Sequence, residues 1–139
     1  MVIVTEVQRS EATFAGPVEL RLPADPLMSR VLRLAASGVA SLSGYSVAEI
    51  EDIKIAVSEV LIALIEHGDG NAIDVRLVVD SDAFVVEGAT EVRGPFDLAH
   101  PDLRLCRTVL AGVCTEHVIE HIGSVAKITA VLRRPFPAG

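Results

Sequence analysis

The sequence has little of three things: cysteine, basic residues and long hydrophobic runs. Half of the residues are hydrophobic, yet no apolar run approaches the ~20 residues that a membrane-spanning helix requires. The first residues, MVIVTEVQRSEATFAG, contain no basic segment followed by an apolar block, which is the pattern of a secretory signal. We therefore expect a cytoplasmic protein that does not bind membranes.

The two cysteines, Cys106 and Cys114, both fall in a predicted helix. Their spacing separates them by ~12 Å of helix rise, which is too far for a disulfide. We expect both to be reduced thiols in the core, as is usual in a cytoplasmic protein. His100 is near Cys106 in the sequence, but no third group that could orient the pair is visible, so a cysteine nucleophile is not indicated.

Basic residues are too few and too scattered to form a nucleic-acid-binding surface. Twelve Lys and Arg residues stand against nineteen Asp and Glu residues, for a net charge of −7. Phosphate neutralisation requires clustered cations, so we expect no direct contact with nucleic acid. We expect no metal site either, because His117 and His121 share a face of a predicted strand but lie ~13 Å apart.

The hydrophobic pattern predicts a single domain over residues 1–139, with a folded core of about 17–136. The predicted elements are a strand at 17–24, helices at 25–44 and 46–68, strands at 71–80 and 82–89, a helix at 102–114, and strands at 116–122 and 124–134. This order predicts a two-layer α/β sandwich, in which three helices cover one face of a mixed, largely antiparallel sheet.

The second predicted helix, EIEDIKIAVSEVLIALIEHGDG, has clear ends and an unusual side. Ser46 and Glu49 match a capping box. Gly68 is predicted to end the helix in the left-handed conformation, which glycine adopts easily. At 100° per residue, Ala56, Glu59 and Ala63 lie opposite the main apolar stripe. A helix that is apolar nearly all round is usually covered on both sides. We therefore expect Glu59 to border something other than bulk water.

The order of elements, together with EDIKIAVSEVLIALIEHGDG, resembles the anti-sigma regulatory factors of the histidine-kinase-like (GHKL) ATPase superfamily, which has the Bergerat fold. The resemblance covers most of the chain, from about Val18 to Phe136. That family carries an E-x-x-x-N signature within a run such as S-E-A-x-T-N-A-x-x-H. The corresponding run in this chain, SEVLIALIEH, ends at His67. This residue matches the family histidine, but a protonated histidine at a helix C-terminus is also favoured by the helix dipole alone.

The resemblance implies a role for Glu59 and identifies what is missing around it. Glu59 matches the family's general base, which takes a proton from a serine hydroxyl or a water. Ala63 replaces the asparagine that binds Mg²⁺, and a methyl group cannot coordinate a hard cation. The family's D-x-G-x-G box, which binds adenine, corresponds to VVEGATEVRG, where Glu87 replaces the aspartate and the glycines are out of register at Gly88 and Gly94.

The family's second glycine box is also altered. G-x-G-L places backbone amides on the phosphates at the start of the third helix, whereas this chain has HPDLRL. Pro101 has no N–H to donate, and the charge of Asp102 repels a phosphate. Because three nucleotide-binding elements are changed, we expect ATP binding to be weak or lost, with no cofactor.

Three functions stay open at this point. The resemblance favours a non-enzymatic regulator that binds a sigma factor or a related partner, and is released by an anti-anti-sigma protein of the STAS type. The alternative within the family is an active Mg-ATP-dependent serine kinase that uses Glu59 to phosphorylate a STAS protein. A third reading is a nucleotide-free structural module that forms a homodimer.

Overall fold

Two layers, a five-stranded sheet and three helices, make up residues 17–134, which are the part of the chain that the computed structural model describes. The elements are β1 Val18–Leu22, α1 Met28–Leu42, α2 Val47–His67, β2 Ile73–Val79, β3 Ala83–Glu91, α3 Pro101–Val113, β4 Glu116–Ile122 and β5 Val125–Arg133. The α/β sandwich is confirmed, and the predicted end of the core at 136 lies outside the described residues. Within residues 17–134, no helix is both long and apolar enough to span a bilayer.

The strands are arranged in the order β1-β2-β3-β5-β4, and each of the four pairings is antiparallel. The prediction of a mixed sheet is therefore wrong for the described strands. Two helices, α1 and α2, connect β1 to β2, so the chain returns to the end of the sheet from which it left. Strand β4 has the same direction as β3, but β5 lies between them and pairs with both.

Alternation along the strands gives the sheet one apolar face and one charged face. The fully buried side chains of Leu77, Phe84 and Ile128 lie on the helix-covered face. On the other face, Arg76 is 3.3 Å from Glu19 and 3.5 Å from Glu87, and Lys127 is 3.0 Å from the same glutamate. The helices therefore pack on only one side, and any site between helix and sheet belongs to that side.

Helix α2 is the central helix of the layer and packs against α1, α3 and the sheet. Its capping box is confirmed: the Glu49 N–H donates to the Ser46 hydroxyl at 3.1 Å, and the Ser46 N–H donates to the Glu49 carboxylate at 2.8 Å. Ala56 and Ala63 are buried although the wheel places them opposite the main stripe, because α3 packs on that side. The expectation that α2 is covered on both sides is confirmed.

Gly68 ends α2, but not in the predicted left-handed conformation. Its φ is −92° and its ψ is −173°, which is extended backbone. A Cβ at this position would lie 2.5 Å from the Leu64 carbonyl oxygen and 3.3 Å from the Thr90 methyl group. Glycine is required here by the close approach of the chain to the last turn of the helix, and not by the sign of φ.

Candidate functional site

The predicted site residues of α2 lie where its second half passes along α3. Glu59, Ala63 and His67 are spaced four residues apart, so they follow one side of α2 towards its C-terminus. Helix α3 runs in the opposite direction: the Cys106 thiol is 3.9 Å from the Glu59 carbonyl oxygen, and the His100 ring is 4.8 Å from the His67 ring. The end of α2 and the start of α3 therefore meet, which is where the resemblance places the nucleotide phosphates.

The Glu59 carboxylate is partly buried and forms no salt bridge with another residue of the range 17–134. No donor to this carboxylate is present among residues 17–134. It borders a shallow groove of about 360 Å³ lined also by Arg33, Glu51, Lys54, Ile55 and Ser58. Burial, and to a smaller extent the charge of Glu66, raise the pKa of Glu59 above its usual value. The side chain thus remains reachable from solvent with the raised basicity that suits a proton acceptor.

Replacing Glu59 with Gln is expected to raise the melting temperature at neutral pH. The native state holds the Glu59 proton more tightly than the unfolded chain, whose glutamate has the ordinary pKa of 4.5. The native state therefore loses stability as the pH rises from this value through the raised pKa. Melting curves of both proteins at a series of pH values should show a gain above that range that vanishes at about pH 4. An equal gain at every pH would contradict this origin.

The position of the missing Mg²⁺ ligand is filled by protein. Ala63 is 5% exposed, and the α3 side chains on this side of α2 are nearly or completely buried: Leu103, Cys106 and Leu110. The methyl group has no lone pair for a cation. The residues present on this turn of α2 do not fit the Mg²⁺ site that the resemblance implies.

The start of α3 has no free backbone donor for a phosphate. Pro101 lacks an N–H. The Asp102 N–H donates to the His100 ring at Nδ1, 3.0 Å away, and the next two N–H groups, of Leu103 and Arg104, donate to the His100 carbonyl at 3.0 Å each. A helix N-terminus binds anions through such donors when they are free. Here His100 occupies all of them, and the Asp102 carboxylate adds a negative charge.

The residues predicted to contact adenine are not brought to this place. Gly88 faces α2, where a Cβ would lie 2.8 Å from side-chain atoms of both Val60 and Leu64. Its neighbour Glu87 must then point to the opposite face of the sheet, where it pairs with Lys127. Glu87, which was predicted to replace the adenine-binding aspartate, thus lies on the face of the sheet that the helices do not cover. Gly94 lies in the loop before α3, and a Cβ there would contact nothing within 4 Å.

Rings that the sequence did not associate surround His67. Phe96 lies 6.5 Å from His67 and 5.4 Å from His121, measured between ring centroids, and the His100 ring lies 4.8 Å from that of His67. The His121 ring also contacts the Val92 carbonyl through Nε2 at 3.1 Å. Sequence reasoning considered His100 only beside Cys106. Its position just before the proline that opens a helix marks it as an N-cap residue, and an N-cap at this helix lies near α2.

The cysteines are unreactive core thiols, as predicted. Both are free. Burial, followed by the nearby Glu59 charge, raises the pKa of Cys106 to about 11, and burial raises that of Cys114 to about 12. Since the thiolate is the nucleophile, neither side chain supplies one near neutral pH.

A second concavity, of about 370 Å³, lies at the other end of α2. The Arg134 guanidinium covers the Tyr45 ring at 3.5 Å from its centroid and donates to the Ser43 carbonyl at 3.0 Å. Burial raises the pKa of Tyr45 to about 12. None of the predicted site residues lines this concavity.

The chain is similar in sequence to known proteins. No protein-family model matches the sequence. The chain is 35% identical over 100 residues to the serine-protein kinase RsbW of Bacillus pumilus strain SAFR-032, a match that covers 60% of this chain and 62% of that protein. It is 33% identical to the RsbW of Bacillus subtilis strain 168, over 62% of this chain and 63% of that protein. The chain thus matches less than two thirds of the length of these relatives.

A solved structure has a similar fold. The crystal structure of the RsbU and RsbW domains of Rv1364c from Mycobacterium tuberculosis aligns with 90% of this chain and 35% of that chain, with a TM-score of 0.67 and 20% identity. The resemblance indicated by the motifs of α2 is thereby confirmed. The chain is similar in sequence to the serine-protein kinases RsbW and has the fold of an RsbW domain.

Proposed function

We propose that this chain is an anti-sigma factor-like regulator of the cytoplasm that binds a sigma factor or a related partner without transferring phosphate. In this proposal a STAS-type protein releases the partner by competition for the domain. One observation carries the proposal: every backbone donor at the start of α3 is absent or already bonded to His100. The fold of an RsbW domain is present, but the group that would hold the nucleotide phosphates is not available.

The energetic argument rests on how phosphoryl transfer is catalysed. Stabilisation of the transferring group comes mainly from positioned cations and hydrogen-bond donors, each of which contributes several kcal/mol. This site lacks the Mg²⁺ ligand at Ala63 and the donors before Leu103, and it adds the charge of Asp102. A single accessible base at Glu59 cannot replace these contributions.

Exposed apolar side chains support a role in protein binding. Leu27, Leu34 and Leu42 of the α1 region are 64%, 75% and 66% exposed, and their spacing of seven and eight residues places them on one side of a helix. Large apolar side chains exposed on a small domain are often part of a contact with another protein. This supports a sigma factor or a STAS protein as partner, and a homodimer equally.

Mg-ATP is expected to change the melting temperature by about 1–2 °C or less at 1 mM nucleotide. A ligand stabilises by RT ln(1 + [L]/Kd), so a Kd near or above 1 mM contributes less than about 0.5 kcal/mol. Thermal melts with and without Mg-ATP measure this directly, with Mg²⁺ alone as the control. A Kd near 10 µM would instead give a shift of roughly 10 °C, and that result would overturn the proposal.

The partner is tested separately from the nucleotide. Purified sigma factors and STAS proteins from the same genome are mixed with the chain in nucleotide-free buffer, and complexes are detected by size-exclusion chromatography. We expect at least one complex without ATP. If no partner binds and the chain elutes alone as a dimer, the structural dimerisation module becomes the better reading.

An active serine kinase is the second candidate, and one observation favours it. The Glu59 carboxylate is accessible and has a raised pKa, as a general base requires, and the relatives named above are called serine-protein kinases. Incubation with labelled ATP and the STAS protein distinguishes the two candidates, because only a kinase transfers label that is lost in Glu59→Ala.

A further inference from the structure

We propose that His67, His100 and Asp102 form a binding site for a divalent first-row transition metal, with Zn²⁺ as the best fit. Within residues 17–134 this is the one group of three or more His, Cys, Asp or Glu side chains whose ligand atoms all lie within 4.8 Å of one another. It joins the last residue of α2 to the first turn of α3. The proposal stands independently of sigma-factor binding.

The composition of the group selects the metal. Two imidazoles and one carboxylate are ligands that Zn²⁺ accepts in tetrahedral sites, with water in the fourth position. Hard cations such as Mg²⁺ and Ca²⁺ prefer sites made of oxygen alone. A nucleotide-associated Mg²⁺ is therefore a poor fit for the same place, and a borderline transition metal is a good one.

The His67 ring has a buried nitrogen that no protein group within residues 17–134 satisfies. Its Nε2 atom is buried and has no hydrogen-bond partner among the described residues. Buried polar atoms are nearly always satisfied. Phe96 packs edge-on to the His67 ring, with 6.5 Å between the ring centroids. A metal ion bonded to this nitrogen would satisfy it.

The other two ligands are accessible and need only small movements. His100 and Asp102 have side chains that are 42% and 64% exposed, and His100 Nδ1 is 3.9 Å from the Asp102 carboxylate. Bonds of ~2.0–2.2 Å to a tetrahedral ion place ligand atoms ~3.3 Å apart. Rotation of the two exposed side chains closes the difference, and their exposure gives the ion a path of entry.

The metal would compete with one existing hydrogen bond. The His100 Nδ1 lone pair that accepts from the Asp102 N–H would pass to the ion, and that N–H would face water, as first-turn N–H groups commonly do. The ion would then join α2 to α3 through its bonds to His67 and His100. The sequence does not reveal this group, because His67 and His100 are far apart in the chain and only the fold brings them together.

Zinc binding by the untagged chain tests the proposal. Titration calorimetry with ZnCl₂ should give one equivalent bound at roughly 10 µM or tighter. His100→Gln and His67→Gln should each weaken binding by ~10-fold or more, whereas the matched control His117→Gln should leave it unchanged. Equal weakening by the control, or no binding by the native chain at 100-fold higher zinc, would overturn the proposal.

A second measurement on the native chain avoids variants that fail to fold. Co²⁺ replaces Zn²⁺ in such sites and is paramagnetic, so in amide NMR spectra it should broaden the signals of residues around His67 and His100 first. Broadening centred on His117 or on scattered acidic residues would show nonspecific binding, and the proposal would fail.

Discussion

Gly88→Ala is expected to lower the free energy of unfolding by about 1–3 kcal/mol, although alanine is the smallest possible addition. The new Cβ would lie 2.8 Å from a side-chain carbon of Val60 and 2.8 Å from one of Leu64. Both are fully buried and packed on every side, so neither can move without disturbing the contact between α2 and β3. The melting temperature should fall by roughly 4–12 °C, which thermal denaturation followed by circular dichroism measures.

Gly94→Ala is the matched control. Both glycines were predicted from the adenine box, but a Cβ on Gly94 would meet nothing within 4 Å, so this variant should melt within about 1 °C of the native chain. The comparison separates two interpretations of Gly88. If Gly88→Ala melts like Gly94→Ala, the helix does not need the space, and a nucleotide-binding role for that glycine becomes tenable again.

The parts of the fold that depend on local sequence could be predicted. The capping box at Ser46 and Glu49 involves neighbours three residues apart, and both hairpins follow from alternation interrupted by short polar turns. The strand order could not be predicted, because β5 lies between β3 and β4 for reasons of long-range packing. The burial of Ala56 and Ala63 likewise depends on α3, which begins 38 residues after Ala63.

The site shows where a motif can mislead. Phe84 and Val86 alternate inward along β3, so parity alone assigns Glu87 to the outer face of the sheet. The match of VVEGATEVRG to the adenine box did not take this alternation into account. At α3 the sequence was informative. It identified Pro101 and Asp102 as unfavourable for phosphate, and the structure adds that His100 occupies the remaining donors. The sequence shows that His100 can cap α3, because it directly precedes Pro101. It does not show that His100 lies near His67.

Ala63→Asn is expected to lower the free energy of unfolding by about 2–5 kcal/mol and to restore neither ATP binding nor phosphate transfer. The substitution returns the family's Mg²⁺ ligand, one helical turn from Glu59. However, Ala63 is 5% exposed, so the larger side chain must displace neighbours, and its amide would be buried without a partner. Denaturant unfolding measures the loss, and calorimetry with Mg-ATP measures the binding.

Two matched variants separate the steric part of that loss from the cost of burying a polar group. Ala63→Leu has the shape of asparagine without the amide, so the difference between the two variants is the cost of burying a polar group, about 1–3 kcal/mol. Glu66→Asn places the same side chain at an exposed position of α2 and should change stability by less than about 0.5 kcal/mol. We expect none of the three variants to bind nucleotide, because Pro101 and the occupied donors of α3 are unchanged. Transfer of the γ-phosphate to a STAS protein by Ala63→Asn, abolished when Glu59→Ala is added, would mean that only the metal ligand had been lost, and the domain would then be one substitution away from a kinase.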